Sequence, residues 1–215
     1  MAGCGGGGAT RSTGVPAAAR PSASDRPGPP PPVGAGSPTP DTHRVFPVAG
    51  KADYGRSHHD YPATDIFAPC GARVRSPVDG VILEVSRTDR FDIARPLGAD
   101  KGGLSVSIRG DDGVRYYGAH LATIAPAIST GVRVRPGTEL GLVGQTGNAS
   151  HVCHLHFGLS PVCAGTGDWW VRRGVVFPWR YLDSWRAGGN LSPVDEVAAW
   201  QRDHGCPSAP RSGER

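Results

Sequence analysis

Two histidines stand at i and i+2 in His154-Leu155-His156, with His151 three residues upstream and Phe157-Gly158 completing the stretch. On a β-strand, the two-residue period puts His154 and His156 on one face and Leu155 and Phe157 on the other. Two adjacent imidazoles are costly to bury unless something uses their nitrogens, and a divalent metal ion is the usual user. One imidazole can then ligate while its neighbour handles protons. Surface histidines at a strand end would explain the pair equally well. The pair is not isolated, however. His58, His59, Asp60 and Asp65 form a second cluster of metal-capable side chains, and His120 lies apart from both. A hydrolytic zinc site needs three N/O ligands and an open position for a water, whose pKa falls to roughly 7. It also needs a base for the water's proton and a donor for the developing oxyanion. The stretches His59/Asp65, His120 and His154/His156 supply those residue types.

A sheet is the simplest device for bringing three such stretches together. A loop of turn formers ending at Pro62 leads into a short strand at 64–67. Residues 71–85 read as two strands joined at 77–80. A long polar loop follows over 86–102, and then an alternating strand over 103–108. Asp111-Asp112-Gly113 is a hairpin turn, and a returning strand over 114–121 carries His120 near its end. Residues 132–144 read as strand, Pro-Gly turn and strand, and the histidine pair comes after Gly147-Asn148. Short strands at this spacing imply an all-β, mostly antiparallel sheet, sandwich or barrel. The chain changes character from Asp168. Residues 178–185 space their aromatics as a short helix does. Ser192-Pro193 with Asp195 and Glu196 signals the start of another helix, running to about Asp203 and ending near Gly205. The tryptophans of this region are expected to pack rather than to form a glycan platform.

Composition narrows the function classes. The 215 residues suffice for one domain with a core plus tails. The net charge of +4 comes almost wholly from arginine, Lys51 and Lys101 being the only lysines. The basic residues are scattered, so no nucleic-acid stripe is indicated. A mildly basic protein would still be drawn to an anionic polymer such as a cell wall. No apolar run approaches the roughly 20 residues needed to span a bilayer. Of the first 40 residues 18 are glycine or proline, so residues 1–42 are expected to be a disordered Gly/Pro-rich tail. Its start, Met1-Ala2-Gly3-Cys4, reads as the end of a bacterial lipoprotein signal lacking its apolar region. The expectation is that the true start lies upstream and that Cys4 is lipidated, a possible membrane anchor. The expected organisation is this tail, a catalytic domain over 43–165 that carries the candidate zinc site, and a helical extension over 166–215.

Five motifs in order resemble the lysostaphin-like zinc endopeptidases, which cut peptide cross-links in bacterial peptidoglycan. They are Asp-Ile-x-Ala-Pro at 65–69, the Gly-x-x-Val and Asp-Gly-Val turns within 71–81, Tyr-x-x-His-Leu at 117–121, the Pro-Gly to Thr-Gly run at 134–147, and His-Leu-His-Phe at 154–157. The resemblance covers about residues 46–161. It implies a mostly antiparallel sheet or barrel-sandwich hybrid with Zn2+ held by Asp65, His156 and an upstream histidine. His120 and His154 would be the catalytic pair, one the general base and the other a hydrogen-bond donor to the tetrahedral intermediate. The family places its first ligand four residues before the aspartate, where this chain has Tyr61. His59 is favoured over His58, with a two-residue bulge eased by Pro62. His43, His151 and His204 are expected outside the site, and Asp60 solvated or beside it. The implied partner is a peptidoglycan peptide, and the implied setting is extracytoplasmic, with the protein a monomer. The alternatives are a non-catalytic relative that binds wall or activates another hydrolase, and a biotinyl- or lipoyl-carrier-like module. The latter needs a lysine at a hairpin tip, which neither Lys51 nor Lys101 provides. Of the cysteines, Cys70 and Cys163 flank the stretches expected to converge and are expected to pair. Cys153 would face away from His154, against a role as thiolate ligand.

Overall fold

A computed structural model describes residues 3, 5–8, 43–163 and 168–208. Cys4 lies outside the described residues. Residues 1–36 form one unit and residues 37–215 another. Of the first, residues 3 and 5–8 are exposed and belong to no regular element.

Among the described residues, the second unit has ten strands. They are β1 (Asp53–Tyr54), β2 (Thr64–Phe67), β3 (Arg73–Arg75), β4 (Gly80–Ser86), β5 (Ser105–Gly110), β6 (Val114–Ala119), β7 (Leu121–Ile124), β8 (Arg133–Val134), β9 (Glu139–Val143) and β10 (His154–Pro161). Seven form one sheet in the order β1-β2-β10-β6-β5-β4-β8, and β3-β9-β7 form a second. All the strand pairings are antiparallel. The fold is the expected mostly antiparallel β class with short C-terminal helices, and neither sheet closes into a barrel.

β10 is the organising strand. It runs between β2 and β6, and every one of its residues is buried. Leu155, Phe157 and Leu159 carry its apolar side into the core with Ile66, Ile108 and Tyr116. Its register sets His156 directly opposite Asp65 of β2 and opposite Ala119 of β6. Directly opposite residues share a face at about 4.5–5.5 Å between Cβ atoms. Strand pairing alone therefore brings a carboxylate and an imidazole from 91 positions apart into contact.

The strand expected over 114–121 is broken at His120. β6 ends at Ala119 in the larger sheet, and β7 begins at Leu121 in the smaller one. His120 is the pivot, with φ of 65°. A non-glycine residue in this left-handed region is uncommon and is held there only by its surroundings. Its N–H donates to the Gly102 carbonyl (2.9 Å), and the Leu121 N–H donates to that of Leu104 (3.0 Å).

Among the described residues three helices follow: α1 (Trp169–Arg172), α2 (Trp179–Arg186) and α3 (Val194–His204). The last two fall where the aromatic spacing and the Ser-Pro signal place them. Ser192 Oγ accepts from the Val194 N–H (3.3 Å), and Gly205 ends α3 at φ 64°. α2 buries Tyr181, Leu182 and Trp185. Trp185 packs edge-on against Phe157 and near Tyr116, so this tryptophan is a core residue.

The disulfides are Cys70–Cys153 and Cys163–Cys206, not Cys70–Cys163. Strand length explains the difference. Cys70 follows β2, whose last residue pairs with His154, so it meets Cys153 at the near end of β10. Cys163 lies beyond the far end, and eight strand residues at about 3.3 Å each separate the two ends by roughly 26 Å. Cys153, being bonded, is not a metal ligand.

Candidate metal centre

The β2–β10 pairing builds the centre. Asp65 Oδ1 lies 3.0 Å from His156 Nδ1, 3.6 Å from His58 Nε2 and 3.8 Å from His154 Nε2. His58, Asp65 and His156 each offer a donor atom, and the three atoms lie within 4.8 Å of one another. The upstream histidine at the centre is thus His58. His59, expected there from the spacing, is exposed, although it borders the same cleft. The reason lies in the loop. His58 Nδ1 hydrogen-bonds the Tyr61 carbonyl (3.1 Å), and this turn aims its Nε2 at Asp65. Tyr61, at the position where the motif would have a histidine, packs against His58 instead, with ring centres 4.5 Å apart and planes tilted by 59°.

Backbone carbonyls orient all four central imidazoles. His58 Nδ1 faces Tyr61 O, His120 Nδ1 faces Thr146 O (2.8 Å), His154 Nδ1 faces Val152 O (2.9 Å) and His156 Nε2 faces Arg173 O (2.9 Å). A carbonyl only accepts, so each of these ring nitrogens carries the proton. The other nitrogen of each ring is the one left to meet a proton or a cation. For His156 that nitrogen faces a carboxylate oxygen 3.0 Å away, and it donates a hydrogen bond there when protonated. Two acceptors at this distance repel unless a proton or a cation lies between them. A divalent ion shared by His58 Nε2, Asp65 Oδ1 and His156 Nδ1 would take the place of that proton, and a donor set of two imidazoles and one carboxylate suits zinc. The residues present therefore fit a metal.

His120 and His154 stand beside this group with ring centres 4.7 Å apart and Nε2 of each unclaimed by the backbone. All the site residues expected from sequence except His59 thus converge. His151 is exposed, and His204 stacks on Trp200 on α3. Asp60 is exposed at the edge of the cleft.

Sequence reading missed several contributors. Thr146 donates its Oγ1–H to Leu121 O (2.9 Å) and accepts from the Leu104 N–H (3.0 Å), which fixes the carbonyl that holds His120. The α1 segment supplies the carbonyl for His156. It comes this close because Gly158 and Gly174 meet without side chains. A Cβ on Gly158 would lie 2.3 Å from Arg173 O, and one on Gly174, whose φ is 132°, would lie 2.3 Å from Pro62 O. Gly158, directly after the histidine motif, was the available signal.

Burial, then the neighbouring His156, pushes the His58 pKa down to about 4. Burial, then His156 and His154, pushes His120 down to about 3. Burial works against ionisation of Asp65, but the hydrogen bond and charge at His156 outweigh it and bring its pKa to about 2. At neutral pH the Asp65 carboxylate is therefore ionised and the His58 and His120 rings are neutral. Both histidines bind protons more readily once unfolded, so the metal-free protein loses stability as pH falls below about 6.5. In chelator, the thermal midpoint should hold steady above pH 7 and drop steeply from pH 6.5 to 4. His120→Gln should flatten part of that drop. A midpoint level down to pH 5 would contradict the buried, neutral state of these rings.

The cleft over the centre has a volume of about 660 Å³. A second hollow of about 330 Å³, lined by Asp53, Arg56, Asp183 and Arg186, contains none of these histidines.

Residues 59–165 match the model of peptidase family M23. Among solved structures, lysostaphin from Staphylococcus simulans is 21% identical over 71% of this chain and 58% of its own, with a TM-score of 0.50. That likeness shows a shared fold. A LytM protein from Ruminococcus gnavus is 25% identical over 58% of this chain and 55% of its own, at a TM-score of 0.46. The catalytic domain of lysostaphin is 22% identical over 62% of this chain and 93% of its own, at 0.47. The chain spans little more than half the length of the LytM protein and of whole lysostaphin. No curated protein matches the chain.

Proposed function

Since the chain belongs to peptidase family M23 through residues 59–165, we propose that it is a zinc-dependent endopeptidase that hydrolyses peptide bonds in bacterial peptidoglycan. The observation that carries this reading is the cluster of His58, Asp65 and His156 donor atoms within 4.8 Å, with two further imidazoles beside it. His58 Nε2, Asp65 Oδ1 and His156 Nδ1 would hold the ion. When bound, zinc polarises the scissile carbonyl and lowers the pKa of a water.

The protein supplies the rest. His120 enters the reaction neutral, and the Nδ1–H of His120 and of His154 is tied to Thr146 O and Val152 O. On a neutral ring Nε2 is then only an acceptor. One of the two Nε2 atoms takes the proton of the attacking water, which turns that ring into a donor. An imidazolium here can hydrogen-bond the oxyanion and later protonate the departing amine. Asp65 stays ionised and offsets the positive charge that builds in the site.

Two disulfides among the described residues support action outside the cytoplasm, where such bonds persist. The protein would work there as a single chain on wall peptides. The test is incubation of purified peptidoglycan with zinc-loaded full-length protein, followed by mass analysis of the soluble products. Release of peptides with new amino termini, abolished by chelator and restored by zinc, is expected. Intact wall after prolonged incubation with zinc-saturated protein would reject the reading.

A further inference from the structure

One loop, residues 144–153 between β9 and β10, supplies the carbonyls that orient both rings of the proposed catalytic pair. Thr146 O holds His120 Nδ1, and Val152 O holds His154 Nδ1. The two halves of the loop are fixed by different means. Around Thr146 the hydrogen bonds to other segments are dense. Thr146 Oγ1 joins Leu121 O and the Leu104 N–H, the Gly147 N–H donates to Asp89 Oδ2 (2.9 Å), and the Asn148 N–H donates to Lys101 O (2.8 Å).

The half that carries Val152 lacks such bonds. Between Asn148 and His154, the backbone bond among the described residues is Val152 N–H to Ala149 O (3.0 Å), which lies within the loop itself. Ser150 and His151 have φ of 53° and 61°. Two consecutive non-glycine residues in the left-handed region are costly and persist only where their surroundings impose them. Ser150, His151 and Val152 are all exposed, so packing of their side chains does not impose it. The Cys70–Cys153 disulfide does. Cys70 sits in a turn between β2 and β3 that is itself fixed. The Gly71 N–H donates to Val143 O (2.8 Å), and the Ala72 N–H donates to Pro69 O (3.0 Å). Cys153 stands between the carbonyl of Val152 and the ring that this carbonyl orients. Pairing with Phe67 sets where the His154 backbone lies, and the Val152 carbonyl sets how its ring is turned.

We propose that Cys70 and Cys153 are positioning residues for catalysis. Their disulfide holds the Val152 carbonyl on the His154 Nδ1–H and so keeps Nε2 turned to the cleft. The Cys163–Cys206 bond, beyond the other end of β10, has no such role. The proposal rests on the peptidase reading above, and the experiment separates the two.

The zinc-loaded full chain with Cys70→Ala and Cys153→Ala is compared with the native chain. The measurements are hydrolysis of a soluble peptidoglycan fragment, zinc content, and NMR of protein carrying isotope-labelled histidine. Turnover should fall by about 10- to 100-fold with KM and zinc unchanged, as expected for a catalytic group that is present but misaimed. The His154 ring N–H signal, identified by its absence in His154→Ala, should be lost to solvent exchange, while that of His120 persists. Replacing Cys163 and Cys206 by alanine should lower the thermal midpoint and leave kcat and both signals as they are. That contrast separates positioning from stability.

Native kcat and an intact His154 signal without the Cys70–Cys153 bond would remove the positioning role and leave the peptidase. A fall in kcat with the His154 signal intact would also overturn it, as would an equal fall on removing Cys163–Cys206. Loss of the fold or of zinc on removing Cys70–Cys153 would make that bond a general staple and overturn the proposal as well. A native chain that cleaves nothing, with the His154 signal lost on removing the bond, leaves the positioning and removes the peptidase.

Discussion

His58→Ala should strip the protein of zinc and of hydrolytic activity, while His59→Ala should leave both near the native level. The two residues are neighbours of one type, so the pair isolates position from chemistry. His58 Nε2 faces Asp65 and its Nδ1 is tied to Tyr61 O, whereas the His59 ring is exposed. Loss of a partner that merely orients a metal ligand costs about 10- to 100-fold in affinity, so loss of a ligand should cost more than about 100-fold. Asp65→Ala and His156→Ala should match His58→Ala. Zinc content by elemental analysis after dialysis, together with peptide release, reads the outcome. A zinc-free His59→Ala beside a zinc-loaded His58→Ala would reverse the assignment.

The second large effect separates holding the ion from using it. His154→Ala and His120→Ala should each keep about one zinc per chain and lose roughly 100- to 10,000-fold in turnover, the range for a positioned acid or base. Neither Nε2 is needed to complete the His58, Asp65 and His156 set. The double variant should fall little below the worse single one, since the two rings lie 4.7 Å apart and act on one proton path. Loss of zinc in either variant, or turnover within a few-fold of native, would remove that residue from the catalytic pair.

Much of the site could be read from sequence because strands make position periodic. The i and i+2 spacing placed His154 and His156 on one face, and the short strand at 64–67 carried Asp65 to its partner across the sheet. His58 was not legible in the same way. Its loop has no period, and the choice between two adjacent histidines turned on which ring nitrogen the Tyr61 carbonyl captures. The disulfides failed for a related reason. Proximity in sequence to the converging stretches said nothing about how far β10 runs before Cys163. The expectation that the C-terminal tryptophans pack holds for Trp185, whose aromatic neighbours lie on α2 and the sheet. It did not reveal that Trp169 and Arg172 border the cleft, because that placement depends on the Gly158–Gly174 contact between segments 16 positions apart.

An anomalous difference map, recorded at the zinc edge from crystals of the zinc-loaded full chain, tests the centre most directly. One peak is expected, about 2.0–2.2 Å from His58 Nε2, Asp65 Oδ1 and His156 Nδ1, with His120 and His154 beside it and unligated. A peak bound by His59, or an empty centre in zinc-saturated crystals, would contradict the site and the hydrolysis built on it.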